Sequence, residues 1–207
     1  MKEIKSFFAT HIYYTQLSTK ANTNKINKKI IEEVEILKER DFVGKKWCQK
    51  NYPGGYTTYN SIPNLHQRSD SILQLEKKIK PHVIKYASAL GLDLCNRKLS
   101  VSEMWINVMP KQVTHGLHIH PLSIISGTYY VDTPKNCAAI KFEDPRLGFF
   151  MASPPRTKTA THSQDIVVDF PAIAGNLVLF ESWLRHEVPP NQSDTPRISV
   201  SFNYAWE

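Results

Sequence analysis

The chain has 207 residues, of which 41% are hydrophobic and 11% aromatic. That is enough to bury the core of one globular domain, and it excludes a disordered chain. No run of about 18 apolar residues occurs, and the first twenty residues hold no apolar stretch of leader length, so a membrane span and a secretory leader are not expected. Cys48, Cys95 and Cys137 are odd in number and far apart. This excludes a disulfide framework or zinc knuckle and points to reduced thiols in a cytoplasmic protein. The net charge of +7 is uneven: residues 1–100 hold 18 Lys+Arg against 9 Asp+Glu, and residues 101–207 hold 8 against 10. A basic half can favour nucleic acid. The lysines here lie at helical spacing with no arginine-aromatic cluster, which reads as a solvated helix face.

In chain order, a short strand is expected near Phe7–Tyr14. Over residues 22–40, Ile26, Ile30, Val34 and Leu37 recur at three- and four-residue steps, predicting an amphipathic helix with Asn22 or Thr23 as N-cap. Lys45–Tyr59 carries Pro53-Gly54-Gly55 between aromatics, a hairpin or structured loop. A second helix is expected from Ile72 to Ala89, with Leu75, Ile79, Val83, Ile84 and Ala87 on its apolar face. Pro81 would kink or split it and Gly91 would stop it.

From residue 99 the texture changes. Short β-rich runs follow at 101–109, 124–132, 138–143, 165–170, 176–181 and 197–204, separated by Pro, Gly, Asn and Asp. Such a series predicts a sandwich, jelly roll or small barrel. The expected fold is α+β in a single domain over 1–207, with residues 1–98 as a helical and strand flank packed outside a core at 99–207. The turn-rich segment 146–164 fits a lid or substrate loop, or an insertion with no catalytic part.

Three of the eight histidines crowd into the run from His115 through His118 to His120. The strand period puts His118 and His120 on one face and leaves His115 out of phase unless the chain bulges. His186, just beyond the apolar run 176–181, is the candidate for a third ligand. Three imidazoles suit iron, zinc, copper or nickel and leave coordination positions open. A pair of histidines on a strand is nonetheless more often plain surface or core. Arg197 opens an apolar strand, where an unpaired guanidinium is costly. It is a fork for a carboxylate, and Ser199 faces the same side. A buried ion pair with a carboxylate of the domain would explain it equally well.

These residues together resemble a known pattern. His118-x-His120, His186 and Arg197-x-Ser199 fall in the order of the 2-oxoglutarate/Fe(II) oxygenases. The stretches WINV, HGLHIHPLSIISGTYYV, FEDPR and LFESWLRHEVPPN, followed by RISVSFN, are similar to a family of small 2-oxoglutarate-Fe(II) oxygenases. The resemblance covers residues 100–204 and extends only loosely into the N-terminal half.

It implies a double-stranded β-helix (jelly-roll) core and an enzyme that couples decarboxylation of 2-oxoglutarate to oxidation of a substrate. His118, His120 and His186 would hold Fe(II). Arg197, Ser199 and Tyr129 would hold the distal carboxylate of 2-oxoglutarate, with a further polar contact from Asn107. Without the resemblance, Tyr129 reads as a core aromatic and Asn107 as a strand-edge residue. Trp105, Trp183 and Phe142 read as core or as the barrel mouth.

One departure stands out: His120 occupies the place of the usual carboxylate. Asp132, Glu143 or Asp144 could be recruited instead, or one of His115 and His120 could orient the other. Two alternatives follow: a cupin-like three-histidine protein or dioxygenase that does not use 2-oxoglutarate, and a nucleic-acid module, which the solvated-face reading argues against. The expected partner is a small-molecule or side-chain substrate, with no membrane. Oligomeric state, monomer or homodimer, stays open.

Overall fold

The computed structural model describes residues 5, 7–17, 19–146, 152, 154–161 and 164–207. Strand β1 (Ile12–Gln16) leads into helix α1 (Lys20–Arg40) and helix α2 (Phe42–Asn51). A short strand β2 (Tyr56–Thr57), a 3-10 turn at Leu65–Gln67 and helix α3 (Asp70–Ala89) complete the flank. The remaining strands are β3 (Leu99–Met109), β4 (His115–His118), β5 (Ile125–Asp132), β6 (Ile140–Glu143), β7 (Val167–Phe170), β8 (Asn176–Glu181), β9 (His186–Val188) and β10 (Arg197–Trp206).

All ladder pairs are antiparallel. They form a six-stranded sheet in the order β1-β8-β5-β10-β3-β2 and a four-stranded sheet in the order β4-β9-β6-β7. This is the two-sheet double-stranded β-helix, with the three helices on its outside. No helix among the described residues is long and apolar enough to cross a membrane.

The central strand β10 positions the site. Ile198, Val200, Phe202 and Tyr204 are buried among the core apolar side chains. Arg197, Ser199, Ser201 and Asn203, the alternate residues, line the cavity on the opposite face. Strand β3 runs antiparallel beside it and sets Met109, Asn107, Trp105 and Glu103 opposite those four in turn.

Helices α1 and α3 pack on the sheet's outer face. Asn27 Nδ2 donates to Val131 O at 2.7 Å, and Tyr204 Oη donates to Glu76 Oε1 at 3.0 Å. Ile26, Ile30, Val34, Leu75, Ile79, Val83 and Ala87 are buried as the periodicity predicts, but Ile84 is exposed. Helix α1 begins at Lys20, earlier than expected, and its first turn has no side-chain cap. Helix α3 runs unbroken through Pro81 and stops before Gly91, whose φ is +70°. Lys25, Lys28 and Lys29 on α1 and Lys77, Lys78 and Lys80 on α3 all face solvent.

Two expectations are corrected. The first strand begins at Ile12 rather than Phe7. The segment 45–59 keeps its turn at Pro53–Gly54 ahead of β2, but its first part, to Asn51, is helix α2, capped by Asp41, whose Oδ1 accepts from Gly44 N at 2.8 Å. Asp41 Oδ2 also accepts from Tyr56 Oη and Ser61 Oγ, which ties α2 to β2. Of the lid expected at 146–164, residues 147–151, 153, 162 and 163 lie outside the described residues.

Candidate active site

A cavity of about 620 Å³ opens between the inner faces of the two sheets, a volume suited to a small molecule. His118, His120 and His186 meet in it, with one ring nitrogen of each within 4.8 Å of the others. Their ring centroids are 4.3 to 5.2 Å apart. They arrive by separate routes. His118 pairs with His186 across β4 and β9. His120 lies beyond the end of β4, held by its N–H donating to Ser182 O at 2.9 Å. No carboxylate joins this cluster among the described residues. Glu143 pairs with Arg185 and Asp144 with Arg146.

Hydrogen bonds fix which nitrogen of each ring is free. His118 Nδ1 is 2.6 Å from Gly116 O, and His186 Nδ1 is 2.8 Å from Leu184 O. A carbonyl only accepts, so both Nδ1 atoms carry the proton and both Nε2 atoms carry the lone pair. For His120 the orientation comes through a chain. Asn203 Nδ2 donates to Glu103 Oε2 at 2.7 Å, which turns Asn203 Oδ1 toward His120 Nδ1 at 2.7 Å. Ser126 Oγ, 2.8 Å from the same Nδ1, belongs to the same network. The three Nε2 lone pairs are thereby available together.

Electrostatics favour the neutral form of His120 and His186. Burial, then the neighbouring His118, lowers His120 to about 4. Burial and the same imidazole neighbours lower His186 to about 3. A neutral imidazole is the form that binds a metal.

His115 is not in the cluster. The register slips between His115 and His118, and His115 Nε2 instead meets Tyr52 Oη at 2.8 Å under a stacked ring. It still lines the cavity, and burial with the Arg197 charge lowers its pKa to about 3.

Arg197 is 2% exposed and lines the same cavity. Its Nη1 donates to Met109 Sδ at 2.9 Å, and its guanidinium lies 4.9 Å from the centre of the Tyr130 ring. Its Nε is buried with no hydrogen-bond partner, and it forms no ion pair among the described residues. Ser199 is buried beside it in the cavity wall. Asn107 also reaches the cavity, with its amide held between Thr57 Oγ1 at 2.9 Å and Ser201 Oγ at 3.0 Å.

Tyr129 is corrected. Its hydroxyl donates to Asn27 Oδ1 on α1 at 2.7 Å, on the helix side of the sheet. The next residue, Tyr130, pairs with Ser199 and shares its face. Phe142 is core, Trp105 lines the cavity, and Trp183 is exposed outside it. Tyr52 and Thr57, both in the cavity wall, had no motif to announce them.

Residues 103–203 match the family model described as "Putative 2OG-Fe(II) oxygenase". No curated protein matches the chain. Among solved structures, a Pseudomonas putida prolyl-4-hydroxylase superposes with a TM-score of 0.60 at 13% identity, over 95% of this chain and 92% of its own. The epimerase SnoN of nogalamycin biosynthesis, in complex with Fe3+, alpha ketoglutarate and nogalamycin RO, superposes at 0.62 and 13% identity, over 95% and 79%. The chain spans only 57% of a 2OG-Fe(II) oxygenase family protein from Burkholderia pseudomallei, at 15% identity and a TM-score of 0.47. Over residues 103–203, just under half of its length, the chain thus resembles the 2-oxoglutarate/Fe(II)-dependent oxygenases.

Proposed function

We propose that the chain oxidises a small molecule or a side chain with Fe(II) held by the Nε2 atoms of His118, His120 and His186. In this reading 2-oxoglutarate is anchored by its distal carboxylate on Arg197 and Ser199. The observation that carries it is the buried guanidinium without a carboxylate. A charge that deep is stable only with a counter-charge, and a ligand carboxylate is the group that its fork fits. The donor set fits the metal as well, since three imidazoles in one cluster suit iron and leave coordination positions open.

When bound, iron would activate dioxygen, the oxidant, and 2-oxoglutarate would supply two of the four electrons it takes up and leave as succinate and carbon dioxide. The chain's own residues bind, orient and exclude water. Leu184 O, Gly116 O and Asn203 Oδ1 hold the three Nδ1 protons and keep each ring aimed. Tyr130 walls the guanidinium off from solvent with its ring. This confines the carboxylate to the Arg197 end and leaves the other end for substrate.

Calorimetry on Ni(II)-loaded protein tests the assignment. Wild-type protein should bind 2-oxoglutarate, and Arg197→Met should weaken it about 100-fold by removing two charge-assisted hydrogen bonds. Metal affinity should stay unchanged, and Tyr129→Phe should leave 2-oxoglutarate affinity as in wild type. Metal binding without any 2-oxoglutarate binding would instead favour a three-histidine site that needs no cosubstrate. The histidine at position 120 is the one feature that speaks for that second reading.

A further inference from the structure

The cavity has two ends of opposite charge. Of the side chains that line it, Arg197 and Glu103 are the two that carry formal charge apart from the histidines. They sit six residues apart along the paired strands β10 and β3, since Arg197 faces Met109 and Asn203 faces Glu103. At the usual strand rise that is about 20 Å.

The Glu103 end is also aromatic. From His120 a row of rings runs outward: Trp105 at 5.9 Å, then Tyr59 at 5.1 Å from Trp105, then Trp47 at 6.4 Å from Tyr59. Trp105 is buried, whereas Tyr59 is 44% exposed. Glu103 precedes Trp105 by two residues on the same strand face. After burial, its negative charge is the next cause raising the pKa of the Tyr59 phenol, so carboxylate and ring are close. Among the described residues Glu103 forms no ion pair, and its one hydrogen bond, from Asn203 Nδ2, uses Oε2 alone.

A carboxylate beside a row of aromatic rings is a receptor for a cation. It would repel a second carboxylate, so it also turns the dianionic cosubstrate toward Arg197. We propose that the open end of the cavity takes a cationic nitrogen of the substrate, seated against Trp47, Tyr59 and Trp105 with Glu103 as counter-charge. This assigns a substrate class, alkylammonium compounds, and it rests on the reading of the cavity as the oxygenase active site. The nitrogen is bound rather than oxidised, and the reacting carbon would be one that reaches back toward His120.

Choline and its neutral isostere 3,3-dimethyl-1-butanol test the proposal on the full chain without metal or 2-oxoglutarate. Binding is read by tryptophan fluorescence and by saturation-transfer NMR. Choline should bind at least about tenfold more tightly than the alcohol, the span expected of cation–π and ionic contacts together. Glu103→Gln keeps an acceptor for Asn203 Nδ2 and removes only the charge. It should abolish the preference for choline while leaving alcohol binding as it was, and Glu103→Asp should retain the preference. Thermal melts matching wild type would confirm that both variants fold.

Equal binding of the two probes, no binding of choline, or a preference that survives Glu103→Gln would each overturn the proposal. The last result would leave Glu103 only the task of orienting Asn203. Because no metal or cosubstrate is present, failure here is separate from failure of 2-oxoglutarate binding in the calorimetry.

Discussion

At the scale of single residues, the tautomer of His120 depends on side chains outside the histidine cluster. Its Nδ1 rests on Asn203 Oδ1, whose amide is turned the right way only because Nδ2 is claimed by Glu103. The other two histidines use backbone carbonyls for the same task. Of the three rings, His120 is therefore the one held by side chains, and so the one that substitution can loosen. Under the proposed ligand assignment, Asn203→Ala should lower Co(II) affinity by about 10- to 100-fold, the usual cost of losing an orienting partner. The cobalt absorption spectrum should change with it. Ser126→Ala should cost less, since Asn203 remains. Unchanged cobalt affinity in Asn203→Ala would mean that the ring needs no such support.

At the scale of elements, strand β5 shows how little slack the sheet has. Gly127 lies between β8 and β10. A Cβ there would come 2.5 Å from Phe202 Cζ and 2.6 Å from Val178 O. The phenyl ring is fully buried and the carbonyl belongs to a ladder, so neither yields cheaply. Gly127→Ala should destabilise the protein by about 1–3 kcal/mol through overpacking, read as a lower urea midpoint. A midpoint equal to wild type would show that Phe202 can turn aside.

The same strand explains what could be read in advance. Its first seven residues are all buried, so no alternation tells Tyr129 from Tyr130 in the sequence. Strand β10 carries a polar residue at every second position from Arg197 to Asn203, and its cavity face was legible for that reason. Strands β4 and β9 have four and three residues, too few to set a period. His118 and His120 do converge, but not as neighbours on one strand, because His120 stands past the strand's end. Helix α2 was hidden because Phe42 and Val43 are exposed and break the amphipathic pattern.

At the scale of the whole molecule, the cavity is an electrostatic compromise built into the fold. Two sheets bury His186 and half-bury His115 and His120, and burial holds each far below its ordinary range, His115 to about 3, His120 to about 4 and His186 to about 3. In the unfolded chain the same imidazoles take up protons near pH 6.5. As pH falls below that value, the unfolded state binds protons that the folded state refuses, so stability must fall with it. Each such histidine contributes about 1.4 kcal/mol per pH unit until its folded pKa is reached. His66 and His82, also lowered by burial, add in the same direction. Carboxylates such as Asp144, lowered by Arg146, add a further loss only nearer pH 4, where their unfolded forms titrate. The histidine effect is therefore isolated between pH 6.5 and 5. Thermal melts of metal-free protein should show the midpoint falling steadily across that window and flat between pH 7 and 8. Added Ni(II) should raise the midpoint at pH 7 and, under the proposed ligand assignment, still raise it at pH 5, because His120 and His186 stay unprotonated in the folded protein until about pH 4 and 3. A midpoint that does not move between pH 6.5 and 5 would mean that the buried imidazoles accept protons in place, and the neutral cluster would not survive as an account of this site.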